Sequence, residues 1–255
     1  MDDSENVSYI IIHDLTPDAK ILYLSPSLTD VLGYDPADTM GTSSFDWIHP
    51  DEVEAARQLH YETIRDDKAA AVAYLRVKNQ EDRWVGVVIQ RSVVHNALIG
   101  SLSFAKPGAK AMHTAATAQE VAFLNPAAYQ TQLEFRKWND SQSKASIVVP
   151  RDMSVPFEDL FNNIPTPSER TGLILNRFSR RCPIMYCTND CIFDPVKLRG
   201  RSLYDFVHPE DESNVRQCID VSKGWAVSDS GHPSDGGFVF GSFRACLAGR
   251  DSTEG

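Results

Sequence analysis

The sequence predicts an α+β protein made of two related domains, of which the second is abbreviated. Residues 41–52 and 200–211 align without a gap, and both contain a His-Pro pair followed by two acidic residues. Two strand-like runs and several short helical stretches surround the first of these segments, and three more strand-like runs follow. A repeated segment in this setting indicates a duplicated domain.

The five strand-like runs of the first copy are separated by residues typical of turns. Residues 14–18 form a predicted hairpin turn between the first two runs, and residues 79–82 form a loop between the third and the fourth. The runs themselves cover residues 7–13, 21–24, 71–78, 83–97 and 98–104.

Short helices are predicted between the second and third runs. Residues 27–32 end at Gly33, a residue that commonly terminates a helix. Pro50 occupies a first helical position with two carboxylates behind it, which interact favourably with the helix dipole. The helix that follows is amphipathic because Val53, Ala56, His60 and Ile64 recur on one face.

The repeat divides the chain into four parts. Residues 1–106 form the first domain, residues 107–165 a linker, residues 166–250 the abbreviated second domain, and residues 251–255 a polar tail. Within the linker, residues 129–138 are expected to form a docking helix, since the segments around them are low in complexity or polar. In the second domain, residues 238–247 alternate like a sheet strand.

Composition excludes several classes of function. The 255-residue chain has a formal net charge of −10, the wrong sign for direct nucleic-acid or anionic-membrane binding. It contains no apolar run of the roughly 18 residues that span a bilayer, and its first residues are acidic where a targeting signal would be basic. A nuclear or cytoplasmic location, or both, is therefore expected.

The five cysteines predict neither a disulfide framework nor a metal site. They are odd in number and confined to the last third of the chain, so reduced thiols are expected. Cys182, Cys187 and Cys191 are spaced unlike any common zinc pattern, and Cys187 is expected to pack as a small apolar group. A redox-sensing pair is the alternative interpretation.

The order of elements and the repeated His-Pro segments resemble the PAS domain. This resemblance implies a five-stranded antiparallel sheet with short helices on one face, enclosing an apolar pocket, in a module used for sensing and dimerisation. The second copy, through residues 173–180 and 184–186, resembles more specifically the fungal white-collar-type regulators of transcription. The flavin-adduct cysteine of light-sensing relatives is absent at residues 43–45 and 202–204, and no C-x2-C pair of a GATA-type zinc finger occurs.

The resemblance also assigns candidate residues. The structural motif of the family maps onto Gly41, Asp46, His49 and Pro50, and onto Gly200, Asp205, His208 and Pro209. Both histidines are interpreted as helix-start residues rather than catalytic or haem-binding groups. Candidates for lining the pocket, or for packing in the core as such a set commonly does, are Tyr23, Leu28, Val31, Leu32, Phe45, Trp47, Ile48, Val72, Tyr74, Val87 and Ile89.

The leading functional hypothesis is a non-enzymatic tandem PAS protein of signalling or transcription control. It acts by associating with itself or with another PAS protein, and the sensing of a small ligand is an open option. No resident cofactor is expected. One alternative is a sensor that binds flavin or haem and responds to light, redox state or gas. The other is the sensory fragment of a PAS-containing kinase, although the His-Arg-Asp and glycine-rich motifs of kinases are absent.

Overall fold

The computed structural model describes residues 7–105, 118, 120–129, 145–148, 156–223 and 240–250. The chain divides into two compact units, Met1–Ser168 and Glu169–Gly255. The first unit contains one mixed sheet with short helices, and the second contains a small hairpin with short helices.

The sheet of the first unit has seven strands in the order β2-β1-β5-β4-β3-β6-β7. Strands β1 to β5 pair antiparallel with one another, whereas β6 pairs parallel with β3, and β7 parallel with β6. The strands are β1 (Ser8–Asp14), β2 (Ile21–Leu24), β3 (Ala71–Lys78), β4 (Trp84–Val94), β5 (Ala97–Phe104), β6 (Glu120–Phe123) and β7 (Ala145–Ile147).

Short helices connect β2 to β3. Helix α1 (Leu28–Leu32) ends at Gly33, whose φ of 86° lies in the left-handed region that a side chain disfavours. Asp35 caps α2 (Pro36–Thr39) by accepting a hydrogen bond from the amide of Ala37 at 2.8 Å. Two 3₁₀ turns, Ser44–Trp47 and Pro50–Glu52, lead into the longer helix α3 (Val53–Arg65).

The main core of the first unit lies between the helices and one face of the sheet. Leu28, Phe45 and Leu59 contribute from the helical side, and Leu75 and Leu102 from the strands. Alternate residues of a strand face opposite sides of a sheet, so each inward-facing position on β3 and β4 meets this layer. The predicted α+β architecture, with short helices on one face, is confirmed for this unit.

The segment predicted as a linker differs from expectation because part of it belongs to the first sheet. Strand β6 pairs with β3 from Ala71↔Glu120 to Tyr74↔Phe123, and the rings of Tyr74 and Phe123 stack with centroids 4.6 Å apart. The sheet therefore has seven strands rather than five. Residues on both faces of β3 are buried, and this explains why β6 joins the sheet. An apolar edge strand is stabilised when it pairs with a further strand.

The predicted docking helix falls almost entirely outside the described residues. Only Tyr129 of residues 129–138 is described, and it lies in a turn. Its ring packs in a second cluster with Tyr74 and Phe123, on the sheet face away from the main core. Gly86 allows this close approach, because a Cβ there would stand 2.9 Å from the Tyr129 hydroxyl. A helix α4 (Phe157–Leu160) and a 3₁₀ turn, Phe161–Asn163, follow later in the same unit.

The second unit repeats the first half of this arrangement. Its hairpin consists of β8 (Leu173–Leu175) and β9 (Ile184–Cys187), followed by α5 (Pro195–Leu198) and α6 (Glu212–Lys223). The 3₁₀ turns Leu203–Phe206 and Pro209–Asp211 lie between these helices. Leu198, Phe206 and Val207 are the centre of its core.

The strand predicted over residues 238–247 is not formed in the described part of that range. Residues 240–247 make a single antiparallel bridge, Val207↔Ala245, and are otherwise irregular, while residues 238 and 239 lie outside the described residues. The reason is the lack of partners: among the described residues of the second unit only β8 and β9 form a sheet, and an alternating sequence becomes a strand only beside another strand.

Candidate functional site

A small cavity of about 70 Å³ lies between the sheet and helices of the first unit. Its walls come from β1, β3, β4 and β5, from the Ser44–Trp47 turn and from α3. The lining residues are Tyr9, Ile11, His13, Ser44, Phe45, Trp47, Ile48, Ala56, Leu59, His60, Ala73, Leu75, Val77, Ile89, Arg91, Leu102 and Leu124.

Four of the eleven candidate pocket residues line this cavity. They are Phe45, Trp47, Ile48 and Ile89. Whether these side chains bind a ligand stays a prediction.

The other seven candidates lie elsewhere. Val72 and Tyr74 belong to the cluster on the opposite sheet face, because Ala73, Leu75 and Val77 take the inward positions of β3. Tyr23 is half-buried on β2 and does not reach the cavity. The remaining four pack in the surrounding core without lining the cavity: Leu28, Val31, Leu32 and Val87.

Three polar lining residues were missed by the sequence analysis. His13, His60 and Arg91 are all buried, and all three line the cavity. A signal for them does exist in the sequence. In β4, Arg91 continues the inward series of Val87 and Ile89, and a polar residue at an inward strand position is unusual unless it is used.

The two histidines are neutral and form hydrogen bonds with backbone carbonyls. His13 Nδ1 donates to the carbonyl oxygen of Asp14 at 3.0 Å, and His60 Nε2 donates to that of Thr16 at 2.9 Å. Burial lowers the pKa of His13 to about 4 and holds the pKa of His60 well below its usual value, with the positive charge of Arg91 adding to both shifts. Their ring centroids are 5.2 Å apart.

Arg91 is the buried cation of the cavity. Its side chain is 8% exposed, and neither Nε nor Nη2 has a hydrogen-bond partner within the described residues. Burial lowers the pKa of Arg91 to about 10, a shift that the carboxylate of Glu120 opposes, so the guanidinium is charged at neutral pH. The cavity thus combines apolar walls with one positive charge.

One wall of the cavity also contacts the segment that follows the sheet. The Phe161 ring stacks on His60 with centroids 5.8 Å apart and packs edge-on against Tyr61 at 5.7 Å. Ser168, later in this segment, donates a hydrogen bond from its hydroxyl to Asp67 Oδ2 at 2.5 Å, and Asp67 lies just after the end of α3. His60 therefore contacts both the cavity and the segment that leads out of the first unit.

The candidate motif residues occupy equivalent positions in the two units. His49 Nδ1 accepts a hydrogen bond from the Asp51 amide at 3.2 Å, and His208 Nδ1 accepts one from the Glu210 amide at 3.3 Å. Both rings therefore cap the turn that begins at Pro50 or Pro209. Neither histidine lines the cavity.

The remaining motif residues shape the segment before each histidine. Gly41 and Gly200 have φ values of 80° and 78°, which favour glycine. Asp46 lies in the first turn of the Ser44–Trp47 helix, and Asp205 in that of Leu203–Phe206.

An arginine clamp, missed by the sequence analysis, completes both His-Pro segments. The Nε of Arg76 and its backbone amide both donate to the buried carboxylate of Glu52 at 2.6 Å. At the equivalent place in the second unit, Arg244 donates to Asp211 through Nε at 3.0 Å and through its amide at 2.8 Å. The sequence spacing between carboxylate and arginine differs in the two copies. The alignment of the two His-Pro segments therefore does not reveal this pairing.

None of the five cysteines forms a disulfide. Cys182 is buried, whereas Cys187 is half-buried and donates a hydrogen bond from its thiol to the carbonyl oxygen of Asn189. In the described part of the chain no three His, Cys, Asp or Glu side chains are grouped to hold a metal ion. None of the helices described is long and apolar enough to cross a membrane.

Comparison with known families identifies the first unit. Residues 21–97 match the family model described as PAS fold, so this part of the chain is a PAS domain, a module of sensory and signalling proteins. The matched span covers β2 to the start of β5, including every cavity residue from α3, β3 and β4. The predicted PAS resemblance is confirmed for the first unit alone.

Similar solved structures are PAS domains as well. The PAS-B domain of Drosophila melanogaster Cycle with bound ethylene glycol is 17% identical over 38% of this chain and 98% of that chain, with a TM-score of 0.34. The PAS domain of the Cronobacter turicensis quorum-sensing receptor RpfR, in complex with BDSF, is 18% identical over 39% and 94%, with a TM-score of 0.35. Comparison with curated proteins gave no match.

Proposed function

We propose that this chain is a non-enzymatic signalling protein with two PAS domains, the first of which senses a small ligand. Its output is association with itself or with another PAS protein, and this association serves the control of transcription. The protein is located in the nucleus, the cytoplasm or both. One observation carries the sensing role: His60 forms a wall of the cavity and also stacks on Phe161, in the segment that leaves the first unit.

The cavity can be coupled to the outside of the domain through α3. Leu59 and His60 line the cavity from this helix, and His60 and Tyr61 contact the Phe161 ring. A ligand that binds better to one arrangement of α3 and Phe161 shifts the equilibrium toward that arrangement. The segment containing Phe161 is therefore the element through which we expect occupancy to reach the rest of the chain.

The equivalent geometry of the two His-Pro segments supports a second PAS domain. In each unit the histidine amide donates to the carbonyl oxygen of the clamp arginine, His49 to Arg76 at 3.0 Å and His208 to Arg244 at 2.9 Å. Bridges Lys20↔Ser43 and Pro183↔Ser202 are also equivalent. The order hairpin, short helices, capped turn and clamp thus occurs in both units. In the described residues, only the first copy is followed by a full sheet.

The lining of the cavity supports a binding role rather than catalysis. Among the described lining residues there is no carboxylate and no thiol, and both lining histidines use one ring nitrogen for a backbone carbonyl.

The size of the cavity does not fit a flavin or haem. Its volume of about 70 Å³ is several times smaller than the roughly 300–1,000 Å³ of sites for drug-sized molecules. A small ligand that is not covalently attached fits the lining better.

Association measured with and without ligand tests this proposal. Sedimentation velocity of the full chain at micromolar concentration is expected to show a dimer, or a complex with another PAS protein, whose population changes when the cavity is occupied. Phe161→Ala should retain ligand binding and lose that change, while Phe178→Ala, at a side chain 79% exposed, should behave as the unaltered chain. A strictly monomeric protein with no recovered partner contradicts the proposal.

A further inference from the structure

The most unusual group in the cavity is the guanidinium of Arg91. It is more than nine-tenths buried, it lines the cavity, and Nε and Nη2 lack hydrogen-bond partners within the described residues. Leaving a buried charge without such partners is costly, because the group has lost its hydration without replacement. A built-in cation of this kind is typical of a site that receives an anion.

The groups around Arg91 leave its positive charge available to a ligand. His13 and His60, which flank the same cavity, are neutral, and neither is a counter-ion. Glu120, the carboxylate whose charge acts on Arg91, forms an ion pair with Lys68 at 2.5 Å and does not line the cavity. Within the described lining, the guanidinium is the one charged group.

The charge and the walls of the cavity, whose volume is about 70 Å³, select the kind of anion. Leu75, Ile89 and Leu102 supply apolar walls beside Arg91. A planar carboxylate matches the fork of a guanidinium, and a short alkyl chain matches the walls.

We infer that the cavity binds a short-chain organic monocarboxylate, with Arg91 as its counter-ion. This inference rests on the ligand-sensing role proposed above and names the chemical class of that ligand. The carboxylate pairs with the guanidinium of Arg91, and the alkyl group lies against the leucine and isoleucine side chains.

Calorimetric titration of the full chain tests the ligand class. Acetate, propionate and butyrate are titrated in a chloride-free buffer, and propionamide serves as the neutral isostere. We expect propionate to bind about 10- to 100-fold more tightly than propionamide, as charge-assisted hydrogen bonds require. Equal affinities for the two, or no binding by any member of the series, would overturn the inference.

Variants at Arg91 test the assigned counter-ion. Arg91→Gln should lose at least about tenfold of the propionate affinity, while Arg83→Gln, at an exposed arginine just before the same strand, should bind as the unaltered chain. Arg91→Met provides a second test, since replacing an unpaired buried charge by an apolar group preserves folding. Its melting temperature should be equal or higher, with carboxylate binding lost; retained affinity in both variants would overturn the assignment.

Two further outcomes separate this inference from the proposed function. Chloride or inorganic phosphate binding in place of carboxylates would overturn the organic ligand and retain an anion sensor. A different small molecule that changes association while carboxylates do not bind would overturn the inference and leave the sensor role intact. Absence of any ligand, with association unaffected, would overturn both.

Discussion

At the residue scale, the buried histidines make the first unit sensitive to acid. His13 titrates near pH 4 in the folded state and near 6.5 when unfolded, so between these values the unfolded chain binds more protons. Stability must fall as the pH drops through that window, by about 3 kcal/mol for His13 alone. His60 acts in the same direction.

Urea unfolding at a series of pH values measures this effect. The unfolding free energy of the first unit is expected to decline from pH 6.5 to pH 4, and less steeply in His13→Gln. An identical slope in the variant would show that His13 does not stay neutral in the folded protein.

The second prediction at the residue scale concerns the ion pair between Glu52 and Arg76. Glu52 is 1% exposed and accepts two hydrogen bonds at 2.6 Å from Arg76. Glu52→Gln should lower the unfolding free energy by about 2 kcal/mol, because charged hydrogen bonds are lost in a buried place. Asp51→Asn is the matched control: its carboxylate is 77% exposed, so its change should stay below about 0.5 kcal/mol. Similar effects for both variants would contradict the clamp.

At the element scale, the elements up to β5 could be predicted from sequence because each carries a local signal. Gly33 ends α1, Asp35 caps α2, and Pro50 precedes α3, while alternation marks the strands. The cavity was only partly predictable. Alternation gives the face of a residue such as Ile89, but the face of Val72 depends on register, and a shift by one residue moves every side chain to the other side.

Strand β6 could not be predicted because its signal is not local. Four residues, Glu120–Phe123, are too short for a reliable pattern, and their placement depends on the unpaired edge of β3. Arg91 was missed for a different reason: alternation with Val87 and Ile89 places it on the inward face, but its charge suggests a solvent-exposed position.

Phe123→Ala tests whether β6 belongs to the first unit. The ring is fully buried and stacks on Tyr74, so truncation should cost about 3–5 kcal/mol of the unfolding free energy of that unit. Phe178→Ala, with an exposed ring in the second unit, should change stability by less than about 0.5 kcal/mol. Equal, small effects would show that residues 120–123 do not pack on the sheet.

At the scale of the whole molecule, the two units use the same clamp but differ in what surrounds it. Arg244 is 57% exposed where Arg76 is 23% exposed, so its ion pair is weaker because solvent screens it. Arg244→Gln is expected to lower the stability of the second unit by less than Arg76→Gln lowers that of the first, and to leave the first unit unchanged. Two-transition unfolding monitored by hydrogen exchange separates the units, and an effect on the first unit alone would contradict this assignment.

The His-Pro segment is shared by the two units, whereas the cavity belongs to the first. The segment needs its cap and clamp, which both copies have, and the cavity needs β3, β4 and β5, which the described residues provide only in the first unit. The proposed sensing role is accordingly assigned to the first unit.

Native mass spectrometry of the full chain, purified under mild conditions from a eukaryotic host, would show whether the cavity of the first unit holds a ligand. We expect a mass above that of the polypeptide by one small molecule, and loss of that added mass in Arg91→Gln but not in Arg83→Gln. A polypeptide of unmodified mass, unchanged when short carboxylates are supplied, would contradict the claim that the cavity of the first unit is a ligand site.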